Sequence, residues 1–362
     1  MPARPAVQLF TATSGQPSRR VTIVDERLRE LHAVEFDGVS ADGDPASFSA
    51  SADRMTLRRI LLTGLEDVVR FGAEFTRYET EGERVRAWFA DGSSVGCDLL
   101  VGADGVGCDL LVGADGVGSR VRRELLPHAR IKDLGTRCVY GRTPLTEDVA
   151  ALLPPRLADG FMSVRAGRLG LALGLMRPRE DPARAAARLW PGLDPRWRGE
   201  YVMWSLAVPA ALLPGSDAEL SSRGAGHLHR FVAGRVAGWH PALVRLIEAA
   251  DVDQTSCVAI RSSVPVAPWE TSAVTVLGDA IHAMSPAQGS GANCALLDAA
   301  LLCRTLRAAV ASGGSLTAAI GEYERRMTEY GFAAVRASEQ AASSFGGNPL
   351  GRVLQWIGRR SR

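Results

Sequence analysis

Apolar residues recur along the chain at two spacings, one typical of strands and one typical of helices. Residues 20–25 and 31–36 form two short apolar runs that predict a hairpin. From Met55 onward the apolar residues follow at helical spacing, and they predict a helix that ends near Gly64. Residues up to about 18 are rich in Pro, Ser, Thr and Gly. They predict an irregular lead-in before the first ordered element.

The remaining pattern mixes both kinds of element. Strands are predicted at 68–75, 85–89, 98–101, 169–175, 201–208 and 273–277, and the Asp91-Gly92 pair supplies turn residues after the second of them. Helices are predicted at 183–189, 225–236, 241–250, 292–309 and 316–342. Strands and helices mixed in the middle of the chain favour a second domain built on an antiparallel sheet.

An exact tandem repeat interrupts this pattern. Residues 96–106 are followed at once by the same eleven residues at 107–117. Two identical copies do not make a solenoid, because solenoids need at least three repeats and tolerate divergence. We expect one copy to occupy a strand-to-turn position and the surplus residues to leave the fold as a loop.

Composition narrows the classes of function. Lys and Arg number 42 against 40 Asp and Glu, a net charge of +2, so no strongly basic face for nucleic acid is predicted. The six cysteines have no C-x-x-C pair or zinc-like spacing. The first residues lack the apolar region of a secretory signal, and no apolar run is long enough to span a bilayer. We therefore expect a cytoplasmic protein with small-molecule partners and no stable membrane insertion. The sequence leaves the oligomeric state open.

The strongest chemical signal is the segment from Gly278 to Asn293. A buried strand ends in Gly278 and Asp279, and Pro286 then precedes a Gly-Ser-Gly turn that opens a helix. Glycines let the backbone approach a ring closely, a carboxylate accepts hydrogen bonds from sugar hydroxyls, and a helix N-terminus favours negative charge. The alternative is an ordinary strand, loop and helix with glycines as turn formers. The full string of residues makes that alternative the weaker one.

This segment resembles the G-D motif of the FAD-dependent aromatic-ring monooxygenases similar to para-hydroxybenzoate hydroxylase. The resemblance implies FAD as cofactor and NAD(P)H as co-substrate. It implies that Asp279 holds the ribityl chain of FAD and that the backbone at 289–293 lines the isoalloxazine ring. The residues implied to bind the cofactor in this segment are Gly278, Asp279, Pro286, Gly289, Ser290, Gly291, Ala292 and Asn293.

Two further segments resemble motifs of the same family. Asp115 and Gly116, after a Leu-Leu-Val-Gly-Ala run, are similar to its D-G motif near the dinucleotide phosphates. The repeat leaves Asp104 and Gly105 as a competing assignment, and a simple strand-end turn is the alternative for either pair. Arg54 opens a helix with the spacing Arg-x-x-Leu and by resemblance reaches the flavin side of FAD. By itself, an Arg at a helix entrance is usually only solvated.

One departure from the family pattern bears on the domain organisation. The G-x-G-x-x-G turn that normally holds the ADP pyrophosphate does not occur in these 362 residues, so an N-terminally truncated family fold is expected. The fold class is α/β (α+β), with an incomplete Rossmann-like FAD-binding domain, an antiparallel-sheet substrate domain and C-terminal helices. The predicted boundaries are 1–128 for the first part of the FAD-binding domain, 129–268 for the substrate domain, 269–345 for the second part with the helices, and 346–362 for a basic tail.

The resemblance implies an FAD-dependent monooxygenase that uses NAD(P)H and O₂ to hydroxylate a small aromatic or polycyclic substrate. No catalytic residue is assigned, because the cofactor carries the chemistry. The rival from another class is a non-catalytic remnant of such an enzyme with impaired FAD binding. A third possibility is another flavin chemistry on the same fold, such as epoxidation, halogenation or reduction.

Weaker candidates are histidines and tryptophans. The histidines lack carboxylate or cysteine neighbours at ligand spacing, so no metal site is predicted. His282 lies inside the flavin motif, where packing is a more common role than catalysis. The tryptophans 190, 197, 204 and 239 are better explained by core packing than by a substrate pocket.

Overall fold

The computed structural model describes residues 3–16, 18–35, 51–67, 69–81, 84–97, 100–102, 111–113, 115–158 and 160–346. Within these residues the helices are α1 (Ala3–Thr13), α2 (Arg54–Leu62), α3 (Arg120–Leu125), α4 (Glu147–Leu152), α5 (Pro182–Leu189), α6 (Asp217–Arg223), α7 (Ala225–Val236), α8 (Pro241–Glu248), α9 (Asp279–His282), α10 (Gly291–Ser312) and α11 (Leu316–Gly346). The strands are β1 (Arg20–Asp25), β2 (Glu30–Glu35), β3 (Phe75–Glu81), β4 (Arg84–Phe89), β5 (Ser94–Cys97), β6 (Leu100–Gly102), β7 (Leu111–Gly113), β8 (Ile131–Pro144), β9 (Gly160–Ala166), β10 (Leu169–Met176), β11 (Tyr201–Pro209), β12 (Ser256–Ser263) and β13 (Val274–Val276).

The chain forms two compact units, each built from two stretches of sequence. Unit 1 comprises Met1–Gly64 and Gly135–Ala259, and unit 2 comprises Leu65–Leu134 and Ile260–Arg362. The sequence division placed the first 64 residues with the flavin motifs, whereas the structure groups them with 135–259. The reason is that β1 pairs in parallel with β9 along its whole length.

A seven-stranded sheet in the order β12-β8-β11-β10-β9-β1-β2 organises unit 1. The pairs from β8 through β9 in this order are antiparallel, as the mixed pattern predicted. One face of β11 carries Val202, Trp204, Leu206 and Val208, which are fully buried against the core that the helices cover. Period-2 alternation of this kind puts every second side chain on one face of a strand. On the opposite face of the same strand Ser205 is buried and the other side chains are half-buried.

Unit 2 contains two three-stranded sheets, β3-β4-β5 and β13-β6-β7. The second is parallel, with β6 in the middle. In the hydrophobic core of unit 2, side chains of β13 pack with side chains of α9, α10 and α11 and of the β3-β4-β5 sheet. No helix among the described residues combines the length and the apolar character needed to cross a bilayer.

The repeat behaves differently from the prediction. Instead of leaving one copy as a loop, both copies contribute a Leu-Val-Gly strand, β6 from the first and β7 from the second. Leu100 pairs with Leu111 and Gly102 with Gly113, eleven residues apart, so the copies lie side by side in register. The prediction failed because identical residues have identical strand propensity, and the first copy offers an edge on which the second can pair.

Two other predictions were wrong. The predicted irregular lead-in contains α1, whose Leu9 is buried with Ile60, Ala185 and Ala186 while Ala6 and Ala12 pack beside it. Apolar residues at spacing three were the available signal, masked by the prolines, which a first helical turn tolerates. The strand predicted at 68–75 begins only at Phe75, because the alternating run of Phe, Tyr and Thr pairs with β4. The predicted hairpin at 20–36 is confirmed over β1 and β2, with Phe36 outside the described residues. The basic tail also lies outside them, except Gly346.

Candidate functional site

The first part of the site is the turn that follows β13. All three residues of β13 are buried, and the chain leaves it through Gly278, which has φ +59° and ψ −140°. A left-handed φ of this kind favours glycine. A Cβ on Gly278 would also lie 3.2 Å from the Cβ of Ala295 on α10. The turn therefore requires glycine for two reasons, and it leaves Asp279 exposed at the start of α9.

A buried carboxylate holds this turn. Asp298 Oδ2 accepts the Gly278 N–H at 2.7 Å and a bond from His282 Nε2 at 2.7 Å, and Asp298 Oδ1 accepts the hydroxyl of Tyr330. Asp298 and His282 are both completely buried. His282 is thus buried, and it also bonds a carboxylate that the sequence did not pair with it.

The second part of the site is the turn before α10. Pro286–Gln288 form a 3-10 turn, and Gly289 follows in the left-handed region with φ +62°. Ser290 then leads into α10, a helix of 22 residues whose start has no side-chain cap. Ala292 and Asn293 in its first turn are exposed. The first turn of such a helix presents backbone N–H groups and a partial positive charge to whatever lies in front of it.

The glycines leave room in front of this helix. Among the described residues, a Cβ on Gly289 would meet no atom within 4 Å, and one on Gly291 would meet Met284 Cγ at 3.8 Å. A flat ring can therefore approach the backbone here. These features fit the electron-rich edge of a flavin, since helix N-termini stabilise anions.

The third part is the turn at Asp115 and Gly116, between β7 and α3. Asp115 Oδ2 accepts backbone N–H bonds from Arg120 and Val121 at the start of α3. Its Oδ1 is buried, and within the described residues it has no hydrogen-bond partner. Because a buried acceptor without a partner costs free energy, this atom is suited to receive a hydrogen bond from a ligand. Asp104 and Gly105 lie outside the described residues.

Arg122 joins the first and third parts. Its Nη1 donates to the carbonyl of Val117, at 3.0 Å, and to the carbonyl of Ala280, at 2.8 Å. The residue is 5% exposed, and burial, helped by the charge of Arg123, lowers the pKa of its guanidinium. The sequence did not identify this link. Its only signal was an arginine seven residues after Asp115, which does not reveal a partner 158 residues away.

Arg54 belongs to unit 1, where it is exposed at the start of α2. Asp53 caps that helix by accepting the Thr56 N–H at 2.8 Å and also accepts the Tyr201 hydroxyl at 3.0 Å. Burial raises the pKa of Tyr140 to about 12 and also raises the pKa of Tyr201. The positive charge of Arg54 acts on both hydroxyls in the opposite direction. Contact of Arg54 with a flavin stays a prediction.

A polar cluster lies on the half-buried face of the unit 1 sheet. Cys138 and Tyr140 are two residues apart on β8 and therefore lie on the same face. Tyr140 is paired in register with Ser205 of β11. The thiol and the two hydroxyls influence one another electrostatically, and burial raises the pKa of Cys138 and that of Tyr140. On the same face Gly174 leaves space between Met203 and Phe161, since a Cβ there would lie 3.4 Å from Met203 Cε and 3.8 Å from Phe161 Cδ2. This face combines apolar and aromatic surface with hydroxyl groups.

The remaining candidates are structural. Trp204 is fully buried, Trp239 packs on the same core, and Trp190 packs beside α1 and α5. Trp197 lies 6.2 Å from the ring of Tyr201. Among the described residues, no group of three His, Cys, Asp or Glu side chains is arranged to hold a metal ion.

Comparison with known proteins defines the class. The family model described as an FAD binding domain matches residues 236–338. A dual O-methyltransferase/FAD-dependent monooxygenase of Phaeosphaeria nodorum is 34% identical over 75% of this chain, and 6-hydroxynicotinate 3-monooxygenase of Pseudomonas fluorescens is 27% identical over 78% of it. The chain spans 30% of the length of the first relative and 65% of the second.

One solved structure is similar to this chain over most of the length of both proteins. The crystal structure of a Photorhabdus luminescens protein assigned as an FAD-containing monooxygenase aligns with a TM-score of 0.75 and 31% identity, covering 95% of this chain and 83% of that one. The fold matches the mixed α/β architecture of an FAD-containing monooxygenase. The chain belongs to the family of FAD-dependent monooxygenases that includes the aromatic hydroxylases, and FAD is the cofactor of that family.

Proposed function

We propose that this chain binds FAD at the turns of unit 2 and hydroxylates a small aromatic or polycyclic substrate with NAD(P)H and O₂. One observation carries the proposal: two left-handed glycine turns, at Gly278 and Gly289, precede an uncapped helix of 22 residues, and a Cβ at Gly289 or Gly291 would meet no described atom closer than 3.8 Å. FAD, when bound, supplies the transfer of electrons from the nicotinamide and the activation of O₂.

Different residues of unit 2 bind different parts of FAD in this proposal. The backbone at 289–293 approaches the ring, and the α10 N-terminus stabilises negative charge at the ring edge. Asp279, exposed at the start of α9, accepts hydrogen bonds from the ribityl hydroxyls. Asp115 Oδ1, which is buried, accepts a further hydrogen bond from the cofactor.

Unit 1 supplies the substrate surface in this proposal. Phe161 and Met203 provide apolar contact on either side of Gly174, and the Tyr140 hydroxyl orients a hydroxyl or carbonyl group of the substrate. Ligand sites of this kind combine apolar walls with a few placed polar groups. The named activity of 6-hydroxynicotinate 3-monooxygenase supports an aromatic substrate class.

The test begins with the purified chain and a titration with FAD, followed by its visible spectrum and by quenching of its fluorescence. Oxidation of NADH and of NADPH is then measured with O₂ and a panel of hydroxylated aromatic acids and fused-ring phenols. A saturable flavin spectrum with substrate-stimulated NAD(P)H oxidation supports the proposal. A folded chain that leaves the spectrum and the fluorescence of added FAD unchanged contradicts it and favours the non-catalytic alternative.

Thermal melting gives an independent readout of the same question. A chain that binds FAD melts at a higher temperature as FAD is added, because the ligand binds the folded state only. A non-catalytic chain that does not bind FAD shows no such shift.

A further inference from the structure

The buried carboxylate behind the Gly278 turn has no role in the function proposed so far. Asp298 is completely buried on α10, and its two oxygens receive three hydrogen bonds from three separate parts of unit 2. The donors are the Gly278 N–H, the His282 ring and the Tyr330 hydroxyl. Side chains that are buried and bonded in this way are held in one position, since each alternative leaves a buried polar group without a partner.

We propose that Asp298, His282 and Tyr330 form a clamp that fixes the Gly278 turn and thereby sets the affinity for FAD. The three are positioning residues, because they act on the turn and not on the cofactor. This inference rests on the proposed function, in which the turn and Asp279 bind FAD.

The geometry of α9 explains why a clamp is needed. The helix is only four residues long, too short to be stable by its own hydrogen bonds. Asp298 Oδ2 holds both of its ends, the Gly278 N–H before it and the His282 side chain at its last residue, each at 2.7 Å. Asp279 lies between these two points, so the backbone that carries it is held on both sides by one carboxylate oxygen.

Tyr330 extends the clamp to α11. It donates to the other oxygen of Asp298, and its neighbour Gly331 lets the imidazole pack closely, since a Cβ at 331 would lie 2.6 Å from His282 Cδ2. Two consecutive residues of α11 therefore contact Asp298 and His282. The clamp links α9, α10 and α11 at one point.

His282 acts in this arrangement as a donor through Nε2. Its Nδ1 is buried and, within the part of the chain that the structure describes, has no hydrogen-bond partner. His282→Gln, which keeps a donor at a similar distance from the backbone, is expected to rescue what His282→Phe loses.

The experiment compares two tyrosines on the same helix. Tyr330→Phe removes one donor from the clamp, and Tyr323→Phe, two turns earlier on α11, removes the buried bond from Tyr323 to the Val276 carbonyl. Each variant is measured for thermal stability, for FAD affinity by fluorescence titration, and for amide hydrogen exchange of residues 278–282 without FAD.

We expect Tyr330→Phe to raise exchange at 278–282 and to weaken FAD binding about tenfold, the size of one hydrogen bond to a charged group. Tyr323→Phe is expected to lower the melting temperature without either effect. Equal loss of FAD affinity in both variants, or unchanged exchange in Tyr330→Phe, would overturn the clamp.

The exchange measurement separates this inference from the proposed function. If the wild-type chain binds no FAD, the proposed function fails, and with it the claim that the clamp sets affinity. Exchange at 278–282 then still decides whether Tyr330 fixes the turn.

Discussion

The two units of this protein are stabilised in different ways. In unit 1 the sheet buries alternate side chains of long strands, and the face that includes Trp204 and Leu206 is almost entirely apolar. In unit 2 the sheet next to the site has strands of only three residues, and buried polar groups connect the surrounding helices. Arg122, Asp298 and Glu324 are each 5% exposed or less there.

This difference indicates which interactions fix the direction of a backbone turn at a binding site. Apolar burial is non-directional, so it fixes a fold without fixing the direction of a backbone turn. Hydrogen bonds from buried charged groups are directional, and those of Arg122 and Asp298 end on the backbone of the 278–282 segment. We infer that unit 1 depends on packing and that the site in unit 2 depends on buried polar contacts.

The largest expected effect tests the apolar half of this comparison. Trp204→Ala removes a fully buried ring from the core of unit 1 and is expected to lower the free energy of unfolding by about 3–5 kcal/mol. Denaturation with urea measures the change. Leu31→Ala, at a side chain that is 55% exposed, is the control and should have little effect. Similar losses in the two variants would contradict the packing account.

Removal of Arg122 tests the polar half. Arg122→Met leaves the Val117 and Ala280 carbonyls without their donor and is expected to cost about 2–3 kcal/mol of stability. It should also weaken FAD binding, because the two turns lose their link. Arg123→Met, at the adjacent exposed position, is the matched control. A variant at 122 that melts like the wild type and binds FAD equally would refute this role.

A smaller effect concerns pH. Glu324 is buried and accepts bonds from Trp269, Thr271 and Thr275. Burial raises its pKa above the usual 4.5, against the effect of these bonds. A carboxyl whose pKa is raised on folding contributes stability below its unfolded pKa and loses that contribution as pH rises through the folded value.

Glu324→Gln resembles the protonated form at every pH. The stability of the wild type relative to this variant should therefore fall as pH rises above about 4.5. Unfolding in urea across that range measures the difference. A constant or rising difference would show that the pKa of Glu324 is not raised.

The sequence predicted elements with clear periodicity better than contacts between them. Helix α7 begins and ends where its apolar spacing placed it. The left-handed turns at Gly278 and Gly289 fall on glycines that the sequence singled out, while their contact with a flavin stays a prediction. The position of the second repeat copy was not predicted, because two segments of identical sequence fit the same strand equally well. Arg122 and Tyr330 were missed for another reason: their partners lie 158 and 32 residues away, and periodicity carries no information on such pairs.

Two glycine variants test whether FAD lies against the start of α10. Gly291→Ala and Gly234→Ala both add a methyl group to a helix where no neighbouring atom is closer than 3.8 Å, so both are expected to fold at least as well as the wild type. The FAD dissociation constant is measured for each. We predict a loss of affinity of about tenfold or more in Gly291→Ala, because its Cβ fills the space of the ring, and none in Gly234→Ala. Equal affinity in all three chains would contradict the claim.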